Sequence, residues 1–190
     1  MSPANSTYEQ LHESAGWAYG ERPDAQLVEA VSKLAPGIAV DLGGGQGRHA
    51  LYLASRGFDV ELVDLSQSAL LQAEASARAA GVPLRTNLAN VAFYQPPPAL
   101  RVVVGALLFH VPARHASVQA AGAAGSALSP GGLFYLSLPG FNDETEKLAM
   151  ELLEAAGCDG RVIKHVVTRD ERPRLPVPRR NETRAVGYRR

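Results

Sequence analysis

The stretch Val40-Asp41-Leu42-Gly43-Gly44-Gly45-Gln46-Gly47 sets the tightest bound on what this chain can fold into. An apolar run, Ile38 to Val40, leads into it, and a run with helical spacing, Arg48 to Ser55, leaves it. The pattern is a strand, a glycine-rich turn and a helix start. Glycine is needed where the backbone takes positive φ or where a ligand must come close to the main chain. Four glycines within five positions are more than a tight turn demands. The helix start beyond them offers unpaired N–H groups and a partial positive charge, which suits an anion. Asp41 adds a second requirement, because a carboxylate at the strand end suits a ligand that also carries an ammonium group.

The rest of the chain repeats the strand–helix alternation. Pro23 to Leu34 reads as a helix, with Leu27, Val28, Val31 and Leu34 along one face. Strands are expected over Gly37–Leu42, Phe58–Val63, Leu84–Asn87, Val102–Leu107 and Leu133–Leu138. Between them lie helices Arg48–Ser55, Gln67–Ala80 (capped by Ser66) and Ala113–Leu128, where Gly122 and Gly125 suggest close packing. Helix Glu144–Ala156 has an acidic start that suits the helix dipole. Alternation of this kind implies parallel pairing with right-handed crossovers. The last two strands, Arg161–Thr168 and Arg184–Tyr188, are joined by the Pro/Arg-rich loop Arg172–Arg180 and so pair as an antiparallel hairpin. The expected fold class is α/β: a doubly wound, seven-stranded, mostly parallel sheet with a C-terminal antiparallel hairpin. A single domain over 1–190 is expected, with 1–35 as an N-terminal helical cover and 36–190 as the core.

Composition narrows the function classes. No apolar run is long enough to span a bilayer, and Met1 to Ser14 is polar without a signal-peptide core, so the cytoplasm is the expected compartment. The single cysteine, Cys158, rules out an internal disulfide framework and weighs against a thiolate zinc site; the histidines show no ligand spacing, and no metal is expected. Arg outnumbers Lys 16 to 3, which suits a GC-rich bacterial genome. Net charge is zero, but residues 161–190 hold ten basic and three acidic side chains. The stronger reading of that tail is a solvated edge that neutralises an acidic body. Without aromatic–basic interleaving, no nucleic-acid partner is expected.

The order of elements, with Asp-x-Gly-x-Gly-x-Gly after the first strand, resembles the class I (Rossmann-like) S-adenosylmethionine-dependent methyltransferases over about residues 8–190. Asp64 in Val63-Asp64-Leu65-Ser66 matches that family's ribose-binding acid, and Leu128-Ser129-Pro130-Gly131-Gly132 matches its turn before strand five. The string Gly45 to Ala54, followed by Gly57-Phe58-Asp59-Val60, is most similar to the small tellurite-resistance and thiopurine-type branch. Gly44 stands where many relatives have Cys, an exchange expected to be harmless. Asn90 to Leu100, with three consecutive prolines, is too broken for the helix that the family often has there.

The resemblance implies S-adenosylmethionine as cofactor and assigns roles. Gly43, Gly45 and Gly47 let the main chain approach the amino-acid end of the ligand, and Asp41 orients the loop or accepts from the ammonium. Asp64, about twenty residues past the first glycines, accepts from the ribose hydroxyls. Leu65 and Val91 wall the adenine, and Asn90 serves its edge; a loop amide bonding its own backbone is the competing account of Asn90, and Asn87 is a rival for its role. Phe109 and His110 follow strand four, where the acceptor meets the methyl group, so Phe109 is a substrate contact and His110 either a base or a packing residue. Arg48 either binds an anionic acceptor or lies exposed, and His49 packs in its helix's first turn. Trp17 and Tyr19 either close over the sulfonium or staple the N-terminal segment.

The function expected is methyl transfer to a small-molecule acceptor, because the chain has little beyond the fold to hold a large substrate; a monomer or homodimer suffices. Two rivals remain. Gly45-x-Gly47-x-x-Ala50 with Asp64 also fits a NAD(P)-binding oxidoreductase, and a non-catalytic cofactor-binding partner subunit would keep the same motif.

Overall fold

A computed structural model describes residue 9 and residues 17–167 and 180–190. The expected loop 172–179 and most of the N-terminal segment lie outside the described residues. Five helices are described: α1 (Ala25–Val31), α2 (Arg48–Ser55), α3 (Gln67–Ala80), α4 (Arg114–Ala127) and α5 (Asp143–Ala155). Seven strands, β1 (Ile38–Leu42), β2 (Asp59–Asp64), β3 (Arg85–Leu88), β4 (Leu100–Ala106), β5 (Leu128–Pro139), β6 (Cys158–Val167) and β7 (Arg180–Arg189), form one sheet in the order β3-β2-β1-β4-β5-β7-β6. The first five pair in parallel, and β7 runs antiparallel between β5 and β6. This is the doubly wound, mostly parallel sheet with a C-terminal hairpin that the alternation implies.

The strand period of two divides the core into two layers. Val40, Leu42, Val103, Phe134 and Leu136 face α4 and α5. Ala39, Val60, Leu62, Val102, Val104, Leu133 and Tyr135 face α1, α2 and α3. Central strand β4 is therefore apolar on both faces, as a sheet covered by helices on both sides requires.

Helix boundaries follow local chemistry. Ser66 Oγ accepts from Ala69 N at 3.1 Å to start α3, and Gly81, at φ 67°, ends it. Asn142 and Thr145 form a reciprocal capping box at the acidic start of α5. The Ser-Pro-Gly-Gly turn falls inside β5 rather than before it: Leu128 pairs with Leu100 and Leu133 with Val102, so 129–132 bulge out between the paired residues.

The chain moves outward from β1 to β3, then crosses back to β4. The strand ends at this reversal leave a crevice where ligands bind in open α/β sheets. Among the described residues no helix is long and apolar enough to cross a membrane.

The two glycines of α4 differ. A Cβ on Gly125 would lie 2.2 Å from Ala156 O and 2.3 Å from Ala156 Cα, whereas one on Gly122 would meet Ala155 O at an ordinary 3.5 Å. Replacing helical Gly by Ala gains about 1 kcal/mol in helix propensity, but overpacking against backbone costs about 1–3 kcal/mol. Gly125→Ala should therefore lower stability and Gly122→Ala should raise it by about 0.5–1 kcal/mol. Urea denaturation midpoints check the opposite signs; a stabilised Gly125→Ala protein contradicts the packing.

Candidate active site

The cavity opens over the C-terminal ends of β1, β2 and β4. Its floor is the loop Gly43–Gly47, with Asp64, Leu65 and Ser66 on one side, Asn90 and Val91 beyond them, and Ala106–Leu108, Val111 and Pro112 on the other. Trp17, Tyr19 and Gly20 of the N-terminal segment complete the wall.

The loop is shaped from beneath. Gly43 and Gly45 take φ of 62° and 54°. The positive φ of Gly43 favours glycine, and a Cβ there would also push on the tip of Leu108, 2.6 Å away at Cδ1. The amides of Gly43, Gly45 and Gly47 donate to Val63 O at 2.7 Å, Asp64 Oδ2 at 2.8 Å and Gly44 O at 2.9 Å. These three glycines therefore shape the cradle and spend their own N–H groups within the protein. Asp64 ties both sides of the cavity: Oδ2 holds Gly45 N, and Oδ1 accepts from Ser66 N at 2.9 Å. A carboxylate has about four acceptor positions, so two donors leave capacity for hydroxyls.

Asp41 is wholly buried under the loop and does not line the cavity. Its Oδ2 accepts from Ala50 N at 3.1 Å, in the first turn of α2, while Oδ1 has no hydrogen-bond partner among the described residues. Burial pushes its carboxyl up to about 7, against the pull of Arg48 and the Ala50 N–H. Of the two roles expected for Asp41, the geometry is that of a loop-orienting residue. A Cβ on Gly44 would come within 2.7 Å of the Asp41 carboxylate, so the Cys exchange expected to be harmless meets a buried acid in this chain.

The wall near α2 is built on one buried carboxylate. Asp24, at the N-cap of α1, accepts from Arg48 Nη1 at 2.9 Å and Tyr135 Oη at 2.8 Å. Arg184 Nη2 lies 3.3 Å from Asp24 Oδ1, and His49 Nε2 lies 3.5 Å from Oδ2. Arg184 also binds Glu182 at 3.2 Å and Gln26. Burial alone would raise Asp24, yet Arg48, His49 and Arg184 hold its carboxyl well below the usual carboxylate range.

Several expected site residues lie elsewhere. Phe109 is 1% exposed, stacks on Phe134 at 6.1 Å between ring centres and covers Gly105, so it belongs to the core. His110 is exposed and outside the cavity wall, and the imidazole on the wall is that of His49. Leu107 takes φ of 56°, and this left-handed residue turns the chain so that Leu107 and Leu108 line the cavity instead. Leu107 N donates to Ser137 O at 2.8 Å and Ser137 Oγ at 3.2 Å. Arg48 lines the cavity at only 8% exposure, with its Nη1 held by Asp24 and Arg22 O. Arg184 is fully buried, not part of a solvated edge. Asn90 Oδ1 accepts from Ala92 N at 2.9 Å, the local loop bond, while the residue still lines the cavity. Asn87 donates to Glu61 Oε1 at 2.8 Å and is off the wall.

Sequence reading passed over Gln46. Its Oε1 accepts from Ala18 N at 2.6 Å and its Nε2 donates to Gln72 Oε1 at 2.6 Å, so it clasps the Trp17–Tyr19 segment to the loop and to α3. Glu9 adds a second clasp, accepting from Ser68 N at 3.0 Å. A glutamine between two motif glycines is the only local signal it carries.

The sheet order and the crevice above it define the class I methyltransferase fold. Residues 39–132 match the model of the methyltransferase domain family, and the sheet as a whole has the fold of the class I S-adenosylmethionine-dependent methyltransferases. The N-methyltransferase NodS of Bradyrhizobium japonicum, solved with S-adenosyl-L-homocysteine, is similar at TM-score 0.75 and 14% identity, covering 97% of each chain. TehB of Haemophilus influenzae gives 0.68 and 16%, covering 88% of this chain and 63% of its own. The 1,6-didemethyltoxoflavin-N1-methyltransferase of Burkholderia thailandensis, solved with that compound and S-adenosylhomocysteine, gives 0.70 and 18%, covering 98% and 88%. At such identities the likeness is one of fold. A curated relative, Hemagglutinin 1 of Eikenella corrodens, is 40% identical over 63 residues, a match that spans 33% of this chain and only 21% of that protein.

The cavity suits the family's cofactor. Asp64 has acceptor capacity at a glycine cradle, and apolar Leu65 and Val91 stand beyond it.

Asp41 also sets a pH dependence. Its carboxyl titrates near 7 when folded against 3.8 as a reference, so between those values the folded chain keeps a proton that the unfolded chain has released. Stability then falls as pH rises through that window and levels off above it. Asp41→Asn should flatten this slope in ligand-free protein. Urea titrations across the window test it, and an unchanged slope in the variant refutes the assignment.

Proposed function

We propose that this chain methylates a small-molecule acceptor, with the cofactor ribose on Asp64, the adenine between Leu65 and Val91 beside Asn90, and the acceptor under Trp17 and Tyr19. The observation that carries the reading is the double hold of Asp64 on Gly45 N and Ser66 N at the cavity edge. It fixes a carboxylate where two vicinal hydroxyls can donate to it.

The cofactor, when bound, supplies a methyl group already activated on a sulfonium. What remains for the protein is alignment and the exclusion of water. Gly43, Gly45 and Gly47 admit the amino-acid end close to the main chain. Asp41 holds the first turn of α2 under it through Ala50 N. Leu107 and Leu108 form the rim that the acceptor meets, and the aromatic faces of Trp17 and Tyr19 suit a neighbouring cation. The Gln46 clasp keeps that cover in place.

The domain match and the small-molecule methyltransferases among its structural neighbours support this reading over a NAD(P)-binding oxidoreductase. A non-catalytic cofactor-binding subunit shares the site and differs only in turnover. Cytoplasmic location is part of the proposal.

Hydrogen bonds to a charged group contribute about 1.5–3 kcal/mol. Asp64→Ala should therefore weaken S-adenosylhomocysteine binding about ten- to a hundredfold, measured by titration calorimetry. Unchanged affinity removes Asp64 from the site. In thermal shift, S-adenosylhomocysteine should stabilise the wild-type protein and NAD should not; the reverse result selects the oxidoreductase.

A further inference from the structure

We infer that Arg48 holds the α-carboxylate of the cofactor through the Nε–Nη2 edge of its guanidinium, an inference that rests on the methyltransferase reading above. The amino-acid end of S-adenosylmethionine carries a carboxylate, which needs donors once it leaves water. Main-chain donors at the cradle are already committed within the protein. The amides of Gly43, Gly45 and Gly47 donate to Val63 O, Asp64 Oδ2 and Gly44 O, and Ala50 N, in the first turn of α2, donates to Asp41 Oδ2. Asp64, on the same wall, is itself an acceptor. A carboxylate at this loop therefore calls for a donor side chain.

Among the described residues, Arg48 is the one Lys or Arg side chain that lines the cavity. It follows Gly47 directly, so its backbone continues the turn that receives the amino-acid end. Its guanidinium is only half used. Nη1 donates to Asp24 Oδ1 at 2.9 Å and to Arg22 O at 3.1 Å. Nε and Nη2 have no hydrogen-bond partner among the described residues, and neither atom is sealed from solvent. Those two nitrogens form the edge that meets a carboxylate with two parallel N–H···O bonds.

The buried pair behind Arg48 makes this edge usable. An arginine that must be ordered on binding loses rotamer freedom, whereas Asp24 and Arg22 O fix this one in advance. Asp24 is also faced by Arg184, His49 and Tyr135, so Arg48 is not its sole partner and can share its charge with a second carboxylate.

Two nucleosides test this on the full chain: S-adenosylhomocysteine and its decarboxylated analogue S-adenosyl-3-thiopropylamine, which keeps the adenosine, thioether and ammonium. Calorimetric titration of the wild-type protein should find S-adenosylhomocysteine bound about ten- to a hundredfold more tightly. Arg48→Lys keeps a positive charge for Asp24 and lacks the second nitrogen. It should weaken S-adenosylhomocysteine by about tenfold or more and the analogue by no more than about threefold, whereas a merely structural role for Arg48 would weaken both alike. If that variant does not fold, the Arg48 Nε–H resonance of the wild-type protein decides: it should move downfield with S-adenosylhomocysteine and stay in place with the analogue. Benzoate, titrated into the S-adenosylhomocysteine complex, separates the cofactor from an acceptor as the source of the carboxylate. The edge filled by the cofactor gives no benzoate binding that depends on Arg48; benzoate binding that Arg48→Lys abolishes assigns the edge to an acceptor and overturns the inference. Equal affinity for the two nucleosides in the wild type, or a preference that survives Arg48→Lys, overturns it too and leaves the cofactor reading intact. Failure to take up either nucleoside sinks the cofactor reading, and this inference with it.

Discussion

The carboxylate of Asp24 is the junction on which the cavity wall near α2 depends. It stands at the start of α1 and is met by Arg48 and His49 from α2, Tyr135 from β5 and Arg184 from β7. Each of those elements packs for its own hydrophobic reasons, but burial in apolar contacts is non-directional. A buried acid is directional and unforgiving: removing one partner of such a pair typically costs about 3–5 kcal/mol because the other charge is stranded. The network therefore adds less to net stability than to position. It sets where α2 begins relative to the sheet, and with it where the glycine loop ends.

Two halves of the site arise by different routes. The cofactor half is local. β1, the glycines and α2 are consecutive, and Asp64 reaches Gly45 across one strand spacing because β1 and β2 are paired neighbours. The half proposed to take the acceptor is assembled from far apart in the chain: the Trp17–Gly20 segment, the residues after β4 and the ionic cluster that reaches to Arg184. A local motif can be shared by many proteins whose cavities differ, because the rest of the wall is built from other residues.

That division also explains what was legible in the sequence. The strand–helix alternation, the cap at Ser66, the acidic helix start before α5 and the closing hairpin follow from period, capping and dipole rules that act over a few residues. The place of Asp64 beside the glycines was readable because its distance from them is a consequence of one βαβ unit. Arg184 was misread as part of a solvated edge, and the ion pair of Arg48 went unseen, because their partner Asp24 is 160 and 24 positions away and nothing periodic marks it. Phe109 and His110 were placed at the rim because they follow strand four in the sequence. The left-handed turn at Leu107 moved the rim to Leu107 and Leu108, and a leucine gives no warning of positive φ in sequence.

That turn ties cavity shape to a strand that does not itself line the cavity. A leucine at φ 56° sits in a backbone region that disfavours side chains by about 1–2 kcal/mol. It is held there by the carbonyl and hydroxyl of one buried serine on β5, Ser137. The rim therefore inherits its rigidity, and its exact height, from its neighbour in the sheet. A chain that evolved a new acceptor pocket by changing only the segment after β4 would keep this anchor, so Ser137 constrains the range of shapes open to such variation.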